Sequence, residues 1–176
     1  SYMASEIPDG SIAVVGDFLY VVHVSSDGSE VRTLRCAVAD GALDLGYSEA
    51  VLTTSGTFVE AGVVSNADWY DSHVYVLAIE SSGALRYAWA TASGAPWTEA
   101  ATGVANADHS LDLTANQPLA GSGVGLLAAF VGTDGDLWVW RRTASGVDSS
   151  SLSEPYVTHG PPRISAWLDH VVVAYL

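Results

Sequence analysis

Arginine and tryptophan recur at one position that follows three similar turns of the chain. Arg32, Arg86 and Trp138 occupy equivalent places when the sequence is aligned on the turns before them. In a strand, alternation places these three side chains on one face, with Trp140 on the same face two residues further on. A guanidinium donates hydrogen bonds to sugar hydroxyls or carboxylates, and an indole covers the C–H side of a pyranose ring. The recurrence therefore predicts a repeated ligand pocket.

The same residue types also fit a structural interpretation. Tryptophan can fill the space between repeats, and arginine can pair with a neighbouring glutamate. Glutamate recurs as well, in the segments Tyr-Ser-Glu-Ala, Trp-Thr-Glu-Ala and Leu-Ser-Glu-Pro. Its carboxylate can accept hydrogen bonds from ligand hydroxyls, or it can simply be exposed to solvent. The candidate ligand-binding residues are Arg32, Arg86, Trp138, Trp140, Trp89, Trp97, Glu49, Glu99 and Glu154.

No arrangement typical of an active site stands out. Catalysis needs paired carboxylates, a nucleophile beside a base, or ligands at metal-binding spacing. The five histidines are scattered, and Asp68, Asp71, Asp108 and Asp112 lack the spacing of a calcium loop. We therefore expect a non-catalytic protein with no metal and no cofactor.

The charge balance narrows the range of partners. The 176 residues include 20 acidic side chains and six basic ones, all arginine, for a net charge of −14. Phosphate backbones and anionic membrane surfaces attract concentrated positive charge, so neither nucleic acid nor an anionic membrane is an expected partner. No apolar run reaches the roughly 18 residues of a membrane span, which predicts no membrane insertion.

Localisation depends on where translation starts. If Met3 is the native start, the chain begins without a signal-peptide pattern and a cytoplasmic location is expected; a cleaved, secreted form stays open. The single Cys36 cannot form an internal disulfide, so it does not distinguish a cytoplasmic from a secreted location.

Strand signals cover the chain, and no stretch keeps a helical apolar period for three turns. Runs rich in valine, tyrosine and leucine, expected to be central strands buried on both faces, are separated by the turn pairs Asp27-Gly28, Ser82-Gly83 and Asp134-Gly135. The runs are 18–24, 73–79, 124–131 and 170–176.

The strands repeat with a period near 50 residues, which is typical of a β-propeller. The repeats are approximately 11–56, 57–108, 109–160 and 161–176, with residues 1–10 supplying an outer strand to the last one. We therefore predict a single all-β domain over 1–176, a small propeller of about four four-stranded blades. One strand of the last blade is unaccounted for. Either one chain closes as a ring, or copies associate through the unpaired edge; we favour a homo-oligomer.

The repeats resemble the bacterial and fungal β-propeller lectins whose blades carry an Asp-Gly-x-Leu-Trp turn and strand. Residues 134–138 fit that pattern fully, 82–86 with Trp89 and Trp97 fit it partly, and 27–28 fit only the turn. The opening strand 11–15 and the strand 163–167 also look like blades of fucose lectins. The resemblance implies multivalent binding of carbohydrate in shallow pockets between blades, without catalysis.

Two other functions stay open at this level. A propeller of this kind can be a structural or protein-interaction module that binds a partner through a blade edge or an acidic rim. Less support exists for a small enzyme with an aromatic-lined pocket, which needs a perturbed acid or base.

Overall fold

Strands and turns make up the described part of the chain, which contains no helix. The computed structural model describes residues 11–39, 42–44, 46–65, 73–91, 94–116, 125–143, 146–155, 161–167 and 170–174. The expected all-β class is confirmed. The expected outer strand at residues 1–10 lies outside the described residues.

Three four-stranded antiparallel meanders follow one another, and a two-stranded sheet comes last. The first sheet contains β1 (Ile12–Val15), β2 (Phe18–Val24), β3 (Glu30–Ala39) and β5 (Tyr47–Thr53), with the short β4 (Ala42–Leu43) paired to the end of β3. The second sheet contains β6 (Phe58–Ser65), β7 (His73–Glu80), β8 (Leu85–Thr91) and β9 (Gly94–Ala101). The third contains β10 (Ala107–Asn116), β11 (Gly125–Gly132), β12 (Asp136–Thr143) and β13 (Gly146–Pro155). The fourth contains β14 (Arg163–Trp167) and β15 (His170–Ala174).

The turn between the second and third strands is the same in the first three sheets. Gly28, Gly83 and Gly135 have φ angles of 74°, 88° and 80°, a region that glycine adopts without steric cost. Each glycine N–H donates to the carbonyl three residues earlier, at 2.8 to 2.9 Å. The three turn pairs seen in the sequence are therefore equivalent turns, and the sequence alignment built on them is confirmed.

Consecutive sheets pack face to face. The face that a sheet turns toward the preceding sheet is called its front face, and the opposite face its rear face. Tyr20 and Val22 on the rear of the first sheet pack with Val74, Val76 and Ala78 on the front of the second. The later interfaces repeat this arrangement with residues Tyr75, Leu77 and Ile79 against Leu126, Ala128 and Phe130, and then Leu127 and Ala129 against Ile164 and Val173.

Position in this row decides which strands are buried on both faces. β7 and β11 have neighbours on both sides, and their residues from Val74 to Ile79 and from Leu126 to Val131 are buried, as expected. The expectation is wrong for the first and last runs. In β2 only Tyr20 and Val22 are buried, and in β15 Val172 is exposed, because no described strand packs on one face of the first sheet or of the fourth.

The first strands of the second, third and fourth sheets line one pocket of about 250 Å³, together with Ser11, the residue before β1. β6, β10 and β14 contribute Gly62, Leu113 and Arg163, among others. A Cβ on Gly62 would lie 2.7 Å from Leu113 Cδ1, so a larger residue there would require the Leu113 side chain to move. The first strands of the second, third and fourth sheets thus come together at this pocket.

Candidate functional site

The residues singled out by the sequence do share a face. Arg32, Arg86 and Trp138 lie opposite His23, Ala78 and Phe130 on the neighbouring strands, and all three occupy front faces. Trp140 lies on the same face, opposite Ala128. Strand alternation was therefore sufficient to group these four side chains.

Both arginines of that group are held by glutamates of their own sheet. Arg86 donates to Glu80 Oε1 and Glu99 Oε2, each at 2.9 Å. Arg32 pairs with Glu30 and donates from Nε to Ser48 Oγ at 3.1 Å. These contacts match the structural interpretation, in which arginine pairs with a neighbouring glutamate.

The two tryptophans of β12 have different surroundings. Trp140 is fully buried between the second and third sheets, and its Nε1 donates to the Thr102 carbonyl at 3.3 Å. Trp138 is half-buried, and its Nε1 lies 3.1 Å from both carboxylate oxygens of Asp134 in its own hairpin. Trp140 is therefore a core residue, whereas Trp138 forms a hydrogen bond within its own hairpin turn.

The repeated glutamates are not structurally equivalent. Glu99 lies opposite Ala88 on the front face of the second sheet, whereas Glu49 lies opposite Thr33 on the rear face of the first. A β-bulge between Val31 and Arg32 shifts the β3–β5 register by one residue, and a shift of one residue turns a side chain to the other face. The side chain of Glu154 lies outside the described residues.

The bulge brings Glu49 to the interface between the first two sheets, where Trp97 meets it. Trp97 Nε1 on the front of the second sheet donates to Glu49 Oε1 at 2.9 Å. The Trp97 ring also lies edge-on to Tyr20, with centroids 6.4 Å apart. A carboxylate and an indole from different sheets are thus fixed together in a partly buried position.

Arg35 is the centre of this interface. Its guanidinium carbon lies 4.9 Å from the centre of the Phe18 ring and 4.7 Å from that of Tyr47, so two aromatic rings hold the cation. Its Nη1 is buried and makes no hydrogen bond with any described residue. Buried polar atoms almost always have a partner, so this nitrogen is an exception among the described residues. The Arg35 cluster comprises Phe18, Tyr20, Arg35, Tyr47, Glu49 and Trp97.

Burial in this cluster changes the pKa of Tyr20. Desolvation raises the pKa of the Tyr20 hydroxyl above its usual value, and the neighbouring Arg35 partly opposes that rise. Tyr20 is therefore neutral at physiological pH, and its ring packs within the interface. Tyr47, at the rim of the cluster, is 47% exposed and gives the cluster access to solvent.

A second arginine lies over aromatic rings at the next interface. The Arg142 guanidinium carbon lies 5.1 Å from the centre of the Trp89 ring, 5.6 Å from Tyr87 and 5.9 Å from Tyr75. Tyr87 and Trp89 stack with an interplanar angle of 21°. The Arg142 cluster comprises these four residues, and it places Trp89, a sequence candidate, beside an arginine that the sequence did not indicate.

Arg35, Tyr20 and Tyr47 lie on the opposite face of the first sheet from Arg32, so the recurrence at Arg32 does not indicate them. Tyr20 and Tyr47 pair directly with Arg35 across β2, β3 and β5. An arginine between two strands with tyrosines in register is a signal that the sequence contains, but the pairing register was needed to see it.

Comparison with known proteins adds no assignment. No family model matches the sequence, and no curated protein is detectably similar to it. Among the described residues, no group of three or more His, Cys, Asp or Glu side chains is placed to hold a metal ion. The described segments likewise include no helix with the length and apolar character needed to cross a membrane.

Proposed function

We propose that the protein is a non-catalytic carbohydrate-binding lectin whose principal site is the Arg35 cluster. The observation that carries the proposal is the buried Nη1 of Arg35, which has no hydrogen-bond partner among the described residues, beside the Trp97–Glu49 pair. A bound saccharide supplies the missing acceptor, because each hydroxyl of a sugar can accept a hydrogen bond.

The other groups of the cluster suit the remaining parts of a sugar ring. The second oxygen of the Glu49 carboxylate can accept a hydrogen bond from a sugar hydroxyl while Oε1 keeps its hydrogen bond from Trp97. The partly exposed rings of Tyr47 and Trp97 offer apolar surface to the C–H groups of a pyranose. Donor, acceptor and flat apolar surface thus occur together, which is the combination that sugar binding requires.

The Arg142 cluster is the proposed second site. It lies one interface further along the row and again combines an arginine with aromatic rings, here a stacked pair. Two weak sites on one rigid scaffold increase the affinity for multivalent glycans beyond that of either site.

The proposed architecture is a β-propeller in which the sheets are blades. Two observations support it: the repeated four-stranded meanders, and the pocket that Ser11 and the first strands of the second, third and fourth sheets line together. In a propeller the first strand of each blade lines the central channel, and ligand sites lie between adjacent blades.

A glycan-array screen followed by calorimetric titration tests the function. We expect binding to one class of glycan, and we expect Arg35→Lys to weaken it at least tenfold, because a charged hydrogen bond in a partly buried site contributes about 1.5–3 kcal/mol. Arg86→Lys is the matched control, since Arg86 is already held by Glu80 and Glu99. A folded protein that binds no glycan, or a loss of binding with Arg86→Lys but not with Arg35→Lys, contradicts the proposal.

A further inference from the structure

In the part of the chain that the structure describes, the row of sheets ends in an uncovered face on each side. On the front of the first sheet, Ile12 is 61% exposed and Val14 is 56% exposed. The directly paired Val21 and Leu19 and the neighbouring Leu34 are only partly covered. On the rear of the fourth sheet, Val172 is 61% exposed, and its partner Ser165 is exposed too. On the front of the first sheet the exposed aliphatic side chains continue across neighbouring strands, which marks an interaction surface.

Each internal interface shows what such faces bind. The front faces of the second, third and fourth sheets are covered by the rear face of the sheet before them. Val76 of the second sheet and Ala128 of the third are completely buried in this way. Val21 belongs to the corresponding second strand of the first sheet, yet no sheet precedes it among the described residues.

We propose that the front face of the first sheet binds the rear face of the fourth sheet of a second copy of this chain. The proposed contact continues an interface that the chain already makes three times with itself. It is also specific in direction, because front faces pack on rear faces in every case. The chain's own fourth sheet does not cover the first, since Ile12 and Val14 are exposed with that sheet in place.

Closure follows from the arrangement of the sheets. Ser11 and the first strands of the second, third and fourth sheets line one pocket, and the proposed assembly adds further sheets at either end of this arrangement. Two copies related by a two-fold axis pair both fronts with both rears, which leaves no uncovered face and no open filament. This proposal is independent of any ligand and stands or falls apart from the lectin assignment.

Charge opposes the association and gives it a recognisable salt dependence. Each copy has a net charge of −14, so two copies repel at low ionic strength. Screening at 0.5 M NaCl shortens the range of this repulsion to a few ångströms and leaves apolar contacts intact. We therefore expect the dimer to strengthen with salt.

Sedimentation velocity of the 18.3 kDa chain over a range of concentrations measures the assembly. The expected result is a species of twice the chain mass, with a dissociation constant that falls as NaCl rises from 0.05 to about 0.5 M. Val14→Asp on the front and Val172→Asp on the rear should each raise that constant at least about 100-fold, because each buries a charge in an apolar contact.

Val59→Asp is the matched control, since Val59 is 52% exposed on β6 in a sheet that already has neighbours on both faces. It should leave the dimer unchanged, and circular dichroism should show all three variants folded. Mixing the Val14 and Val172 variants should restore a weaker dimer, because one intact front then meets one intact rear. A chain that stays monomeric at about 100 μM in high salt overturns the proposal, as does a dimer that Val14→Asp abolishes and Val172→Asp leaves intact, which indicates front-to-front pairing.

Discussion

Trp97 and Glu49, 48 residues apart in the chain, join the first two sheets through an indole N–H that donates to a carboxylate oxygen at 2.9 Å. The bond exists because the bulge at Val31 and Arg32 turns Glu49 toward the second sheet. Glu99, which has no such bulge at the equivalent place, instead faces forward and pairs with Arg86. The bulge therefore explains why Glu49 lies in the proposed site whereas Glu99 only forms an ion pair with Arg86.

The Trp97–Glu49 bond should contribute to both stability and binding. Trp97→Phe removes the donor and leaves the aromatic ring, so we expect a loss of about 0.5–1.5 kcal/mol in the free energy of unfolding. Glycan affinity should also fall, because Glu49 loses the bond that orients it. Urea denaturation and titration calorimetry measure the two effects.

The comparison variant for this test is Trp138→Phe. It also loses an indole hydrogen bond, to Asp134, but the bond lies within one exposed hairpin and away from the Arg35 cluster. It should leave glycan affinity unchanged. Equal loss of affinity in both variants would show that Trp97 has no special place in the site.

Gly94 is required where the second sheet approaches Arg35. Its φ of 91° is in the left-handed region, and an added Cβ would overlap the Arg35 guanidinium. Gly103 has a similar φ of 80°, but a Cβ there meets nothing within 4 Å. Gly94→Ala and Gly103→Ala should both destabilise the fold through backbone strain, by about 1 kcal/mol.

Only Gly94→Ala should also displace Arg35 and reduce glycan binding. Thermal unfolding and calorimetric titration of the two variants separate backbone strain from displacement. If Gly103→Ala weakened binding as much as Gly94→Ala, the effect would come from strain alone and not from contact with Arg35.

Trp140 should behave as a core residue in spite of its place among the sequence candidates. Trp140→Ala removes a fully buried ring between two sheets, and we expect a loss of about 3–5 kcal/mol in the free energy of unfolding. Trp138→Ala, at a half-buried position, should cost clearly less. Chemical denaturation of the two variants measures the difference, and similar costs would contradict the assignment of Trp140 to the core.

The strands, the hairpin turns and the shared face of Arg32, Arg86 and Trp138 could be predicted because each depends on local chemistry. Alternation and glycine turns act over a few residues, and the sequence displays them directly. The composition of the Arg35 cluster depends instead on a bulge and on which strands pair. One extra residue in the β3–β5 pairing places Glu49 on the rear face of its sheet, whereas Glu99 lies on the front face of the next. The local sequences, Tyr-Ser-Glu-Ala and Trp-Thr-Glu-Ala, do not reveal this difference.

Burial was harder to predict at the ends of the row. The apolar run of β2 resembles that of β7, yet only β7 has a sheet on each side. Strand composition reports how apolar a face is, and it does not report whether a neighbour covers that face.

Asp27 should link the stability of the first hairpin to acid pH. The Ser25 hydroxyl donates to Asp27 Oδ1 at 2.7 Å, and the Ser29 backbone N–H and hydroxyl donate to the same oxygen. These bonds favour the carboxylate and lower the pKa of Asp27 from 3.8 to about 2. Because the pKa is lower in the folded state, the stabilisation is present above the unfolded value of 3.8 and is lost as the pH falls toward 2.

NMR titration of the Asp27 side-chain carboxyl carbon measures this directly, and a midpoint near 2 is expected. Ser25→Ala removes the largest cause of the shift, so the midpoint should rise toward 3.8. Asp27→Asn removes the titrating group, and the difference in stability between it and the unmodified protein should shrink as the pH falls from about 4 to 2. A midpoint near 3.8 in the unmodified protein would show that the three hydrogen bonds do not hold the carboxylate in solution, and the turn would then owe its geometry to Gly28 alone.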